Sequence, residues 1–200
     1  MRRLALLLGL VLLLPACSGL RLIESEVESH AAQAPPAALA TGQRYRFERL
    51  PSQADVVRAA AIEAMAETAL SRVGLVRADG AASLSVQITT RRQPYQVDAW
   101  GQPTEGTRFH GSIMIGAGSM GGMFGLGMGM GLPQPTRYRH EVELLLREIA
   151  SGRLVYETRA SHEGPWNDSD KLLPVLFEAA LQDFPHPPAG PRRVKIEIPD

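Results

Sequence analysis

Ser83 to Thr90 reads SLSVQITT, with Leu84, Val86 and Ile88 on one side and Ser85, Gln87 and Thr89 on the other. Such alternation predicts a strand with one face against a core and one face wet. Arg44 to Arg49 alternates likewise, placing Tyr45 and Phe47 together before Leu50-Pro51 ends the run. Thr136 to Ile149 and Arg153 to Glu163 keep Tyr138, His140, Val142, Leu144 and Leu146, then Leu154, Tyr156 and Thr158, in period two. They flank Ala150-Ser151-Gly152, where Gly152 supplies the positive φ of a tight reversal. A long β-hairpin is expected, and a helix over Glu141 to Ile149 is the competing reading. Leu20, Leu22 and Val27 mark a first strand over Ser18 to Glu28, and Val194, Ile196 and Ile198 an edge strand in the tail. Arg91 to Thr107 reads as a strand extension or an ordered loop, and Arg108 to Ile115 as another strand. Ser29 to Gly42, with Pro35-Pro36, reads as a loop.

Two stretches carry the longer period of a helix. In Ala54 to Val73, Val57, Ala61, Ala64, Met65, Thr68 and Leu70 fall near one stripe, with Arg58, Glu63, Glu67 and Arg72 spread over the other side. Ser52 is a candidate cap with Asp55 three residues on, and Gly74 a candidate C-terminal stop. Asp170 to Phe184, capped by Asn167 or Asp168, carries a core stripe of Leu172, Leu173, Leu176, Phe177, Ala180 and Leu181. Pro174 is expected within its first turn, and Pro185, Pro187 and Pro188 end it. These elements predict an α+β domain: a mostly antiparallel β-sheet with two helices packed on one face.

The N-terminus has a different texture. Arg2 and Arg3 precede Leu4 to Leu14, eleven residues that are nearly all Leu, followed by Pro15-Ala16-Cys17. Eleven residues are about half a bilayer span but suit the apolar part of a secretory signal. The pattern resembles a bacterial lipobox, in which cleavage falls between Ala16 and Cys17 and the sulfur of Cys17 carries lipid. An ordinary signal peptide or an uncleaved anchor is the alternative. Two or more acyl chains give stable anchoring where one is marginal. Ser18, rather than aspartate, follows the cysteine, and this sorting pattern implies the outer membrane with the domain facing the periplasm. The expected organisation is a signal at 1–16, a lipidated N-terminus, first strand and linker at 17–43, a single domain at 44–184, and a tail at 185–200.

Composition narrows the function classes. The 200 residues hold 21 basic and 21 acidic side chains, and without Arg2 and Arg3 the chain carries a formal charge of −2. The arginines are scattered, so no nucleic-acid partner is expected. Cys17 is the only cysteine. Once acylated it leaves no thiol for a disulfide or a sulfur-ligated metal.

Gly116 to Gly131 holds eight glycines and four methionines in sixteen residues without a charge. One reading is a loose excursion between strands. A second makes it a contact or membrane-insertion loop through Met120, Met123, Phe124, Leu126, Met128 and Met130, helped by small-xxx-small steps. A third is soft-metal capture by thioethers, for which the spacing is irregular. No Lys-Ser/Thr follows its glycines, as a phosphate loop would need.

None of the five histidines shares HxH or HxxxH spacing with another. His140 and His162 lie on opposite arms of the proposed hairpin, where Asp168 or Asp170 could join them around a divalent ion. The plainer reading makes both edge or surface residues, and no metal is expected. Trp166, beside Gly164-Pro165, reads as a packed hinge between hairpin and helix, with a recognition loop as the alternative. No serine has a nucleophile-elbow context, so no catalytic residues, enzyme activity or cofactor are expected.

The order of these pieces resembles an uncharacterised family of bacterial lipoproteins, domain of unknown function 4136. The resemblance rests on Cys17, the strand at Tyr45 to Phe47, the helix ending at Val73-Gly74-Leu75, Ser83 to Thr89, and the return Ser151-Gly152-Arg153-Leu154-Val155-Tyr156. The last is similar to the family's usual "tGklvW" pattern, with Tyr156 in place of Trp, and Glu148-Ile149-Ala150 stands where an Asp is usual. The resemblance spans roughly Leu20 to Phe184. It implies a compact sheet with two helices on one face and supplies no catalytic residues. The expected role is a non-catalytic structural or interaction one, anchored to the membrane by its lipid and meeting an envelope protein partner. The alternative is a binding module for a lipid or other apolar envelope ligand.

Overall fold

The computed structural model describes residues 19–32, 39, 41–51, 55–98, 100–104 and 135–199. Within them the alternating runs form strands as expected. β1 spans Leu20–Ala31, β2 Arg44–Glu48, β3 Val76–Arg77, β4 Leu84–Val97, β5 Pro103–Thr104, β6 Thr136–Glu148, β7 Leu154–Gly164 and β8 Arg192–Pro199. The helices are α1, Val56–Arg72, and α2, Ser169–Leu181. The strand order is β3-β2-β4-β6-β7-β1-β8, with β5 also paired to β4. β2 runs parallel to β3 and β4; α1 carries the chain back between β2 and β3, and the short turn at residues 78–83 leads from β3 to β4 on the other side of β2. The remaining pairs are antiparallel. This is the expected mostly antiparallel α+β fold, with both helices against one face.

β6 and β7 form the hairpin, not a helix over 141–149, and Gly152 turns it at φ +69°. Arg91 to Val97 continues β4 against β6. Arg108 to Ile115 lies outside the described residues.

Two faces differ from the sequence reading. In β1 the inward side chains are Ile23, Ser25, Val27 and Ser29, whereas Leu20 and Leu22 are 65% and 49% exposed. Two buried serines occupy the inward register and conceal its apolar character. β1 also runs on through Ser29 to Ala31, which the loop reading assigned otherwise. In α1 the buried side is Glu63, Ala66, Ala69 and Leu70, with Ile62, Met65 and Val73 packed beside it. Val57 is 82% exposed, and Ala61, Ala64 and Thr68 line a shallow groove between α1 and α2. Alanines carry little apolar area, so the bulkier Ile62, Leu70 and Val73 set the helix rotation.

The ends of α1 follow local chemistry. Asp55 itself caps the helix, its carboxylate accepting from the Arg58 amide at 3.1 Å. Ser52 lies outside the described residues. At the other end the Gly74 amide bonds Ser71 O and the Leu75 amide bonds Leu70 O, the paired closure of a Schellman motif. α2 starts at Ser169 behind an Asp168 cap and ends at Leu181 rather than Phe184. Pro174 therefore sits in its second turn, where it withholds an amide from Asp170 O.

The core lies between the helices and one sheet face. Tyr45, Leu144, Leu146, Tyr156, Leu176 and Phe177 are fully buried within it. Thr158 Oγ1 donates to Ala180 O at 2.8 Å, so its 2.7 Å contact with Ser29 must take the serine proton. This relay ties β1 and β7 to α2. The opposite face is wet and charged, with Arg159 bonded to Glu143 and pairs joining Arg91 to Glu141, Arg139 to Glu163 and Arg193 to Glu24. No helix among the described residues is long and apolar enough to cross a membrane.

Candidate functional site

β2 pairs with β4 only over Leu84 to Gln87, and β5 pairs with Gln96 and Val97. Among the described residues, Thr89 to Tyr95 thus have a strand partner on the β6 side alone. A groove of about 390 Å³ opens beside the start of this edge. Phe47, Ile62, Val86 and Ile88 form its apolar floor, and Arg49, Arg58, Thr89 and Thr90 its rim. Leu50, at 40%, and Val56, at 62%, are exposed around the first turn of α1, which borders the groove. The volume falls in the range of small-ligand pockets, and the mixed lining suits a partner with both apolar and polar groups.

Glu63 forms the wall of this groove. It is 6% exposed and takes a two-pronged bond from Arg49, Nε at 2.5 Å and Nη2 at 3.0 Å, with Arg77 at 3.8 Å. The fork geometry locks the end of β2 to α1 and holds the Arg49 guanidinium in its charged form. Sequence reading placed Glu63 on the polar side of the helix. Its spacing from Ile62, Ala66, Leu70 and Val73 was the signal that it faces inward.

A second polar cluster crosses the middle of the sheet. His140 on β6 stands directly opposite His162 on β7, and both are buried, at 1% and 6% exposure. His162 Nδ1 meets Glu24 O at 2.8 Å, and His140 bonds the Trp166 backbone. Both Nε2 atoms, and Ser25 Oγ, are buried without a hydrogen-bond partner among the described residues. Burial, chiefly, lowers the His140 pKa; charge on His162 and Arg92 acts the same way, while the Trp166 backbone and Asp168 oppose it. Trp166 stacks on His162 with ring centroids 6.1 Å apart, and the Arg21 guanidinium lies 4.3 Å from the indole centroid. Trp166 is thus a half-buried packed hinge.

The structure brings together the two histidines that the hairpin predicted as neighbours, and both are interior rather than edge residues. No group of three potential ligands forms among the described residues. His30 and His186 are exposed. Ala16, Cys17, Met120, Met123, Phe124, Leu126, Met128 and Met130 lie outside the described residues, as does His110.

Residues 27–186 match the model of a family described as Domain of unknown function (DUF4136). No curated protein matches the chain. A crystal structure of a PDZ domain protein from Parabacteroides distasonis ATCC 8503 superposes with a TM-score of 0.50 at 11% identity. That match covers 90% of this chain but only 39% of the other, and at such identity the likeness concerns the fold alone. PelC dodecamer structures from Paraburkholderia phytofirmans reach a TM-score of 0.45 at 11% and 12% identity, covering 78% of this chain and 94% of theirs.

Proposed function

The chain belongs to the DUF4136 family, and from that premise we propose that it is a lipid-anchored envelope protein acting by contact rather than turnover. Cys17 carries the lipid, and the periplasm-facing domain receives an extended segment of an envelope protein. The observation that carries this reading is the groove beside the stretch of β4 that, among the described residues, is paired on one side alone. An extended polypeptide can add to such an edge through backbone hydrogen bonds while alternate side chains enter the pocket. Pro94, which has no amide hydrogen, limits the usable edge to Thr89 through Gln93. The titratable groups nearby favour contact over catalysis: Glu63 is committed to Arg49, and His140 and His162 are shut from solvent.

The test places a photocrosslinking side chain at Thr90 of the full lipidated protein in native membranes. A discrete protein adduct is expected, and it should vanish with Ile62→Arg while Thr90 remains labelled and the chain stays folded. Absence of any adduct overturns the partner. The groove's apolar floor also favours the second reading, an apolar envelope ligand. Denaturing the purified protein and finding a bound lipid by mass spectrometry, lost in Ile62→Arg, would select that reading. Lipid attachment is tested separately by the mass of the native N-terminus and by fractionation of Cys17→Ser.

A further inference from the structure

We infer that one end of the sheet rests on the bilayer, with Trp100, Leu20 and Leu22 in its headgroup layer; this rests on the lipid-anchored reading above. The register shows which residues share that end. The Val97 amide bonds Pro135 O at 3.2 Å, and Gln96 stands opposite Thr136. Tyr138 stands opposite Gly164, and Leu20 opposite Pro199. Following the antiparallel register from β7 to β1, three rows beyond Glu26 and Ser161 bring Ile23 level with Gly164, so the start of β1 runs just past the end of β7. The ends of β4, β7 and β8 and the starts of β6 and β1 therefore lie together.

Two residues, Ser18 and Gly19, lie between Cys17 and Leu20, so the three steps reach about 10 Å at full extension. Any lipid on that sulfur holds this end of the sheet close to the membrane. The same end carries Trp100, 88% exposed, on the turn that follows β4. Asp98 Oδ1 accepts from the Trp100 amide at 2.9 Å and the Gln102 amide at 2.8 Å, and Gly101 has φ +79°. The turn thus fixes its own backbone while leaving the indole outside the core. Indole combines a large apolar surface with one N–H donor, and tryptophan is enriched at membrane interfaces for that reason. Leu20 and Leu22 project from the sheet face opposite the helices.

Three strand spacings, about 14 Å in all, separate β4 from β1. The contact therefore has breadth: a lipid and two leucines on one side and an indole on the other. The chain also leaves the sheet after Thr104 and re-enters at Pro135 from this same end.

The experiment uses the lipidated full-length protein with Trp166→Phe, so that Trp100 is the sole indole. It is reconstituted into vesicles of phosphatidylethanolamine and phosphatidylglycerol with or without brominated acyl chains. The expected result is a blue-shifted Trp100 emission, quenched at least twofold by the brominated lipid. Leu20→Asp with Leu22→Asp should reduce that quenching while the protein still floats with the vesicles. The unsubstituted protein, read against Trp100→Ala, gives the same contrast with Trp166 in place. Emission typical of a water-exposed indole, unquenched in protein that co-floats, overturns the orientation and leaves the anchor standing. Native full-length protein whose Cys17 proves to carry no lipid overturns the anchored reading and the orientation together.

Discussion

Gly74 leaves α1 with φ +86°, and a Cβ there would meet Thr41 Cγ2 at 2.7 Å. Gly74→Ala is accordingly expected to lose about 1–2 kcal/mol from backbone strain, before any cost of moving Thr41, measured by urea unfolding. Gly152→Ala, whose added Cβ has open space, tests the same backbone cost without the contact. His140 supplies a pH dependence. Its pKa lies below the ordinary value of 6.5 when folded, so the unfolded chain binds the proton more readily. This residue's contribution to stability is fully present above pH 6.5 and declines as the pH falls below it. Unfolding midpoints measured at pH 7.5 and pH 5 should drop more for the parent protein than for His140→Leu; an equal drop would contradict the assignment. Glu63 belongs to the same scale. Glu63→Ala removes two charge-assisted bonds from a partly buried pair and should cost about 2 kcal/mol by the same unfolding measurement.

Helix α2 was legible because its core stripe uses large residues: Leu172, Leu173, Leu176, Phe177 and Leu181 are all buried. β4 and the hairpin were legible for the matching reason, that bulky side chains alternate with polar ones over long runs. α1 was readable as a helix but not in its rotation. Its many alanines fit either side, and its inward face contains a glutamate whose partner, Arg49, lies on another element. β1 failed in the same manner, since Ser25 and Ser29 turn inward. The groove was not legible at all. It arises where β2 stops beside β4, a consequence of strand order that no single segment contains. Phe177→Ala should cost about 3–5 kcal/mol in thermal or urea unfolding, as expected for a fully buried aromatic. Arg72→Ala, which removes an exposed pair with Glu178, should change stability by less than about 1 kcal/mol in the same experiment.

For the molecule as a whole, β1 matters through its neighbours. It lies between β7 and β8 and pairs with both, and Val27 joins the main core. A chain beginning at residue 32 should lack a cooperative unfolding transition by circular dichroism, because β8 loses its only strand partner among the described residues and β7 gains an open edge. The same arrangement settles how the body would respond to mechanical load from an anchored Cys17. Tension entering at Leu20 and resisted by the rest of the sheet runs along β1, so the ladders to β7 and β8 are sheared rather than peeled. Many hydrogen bonds would then have to yield nearly together, and under such a load the first strand of the fold would serve as its tow bar.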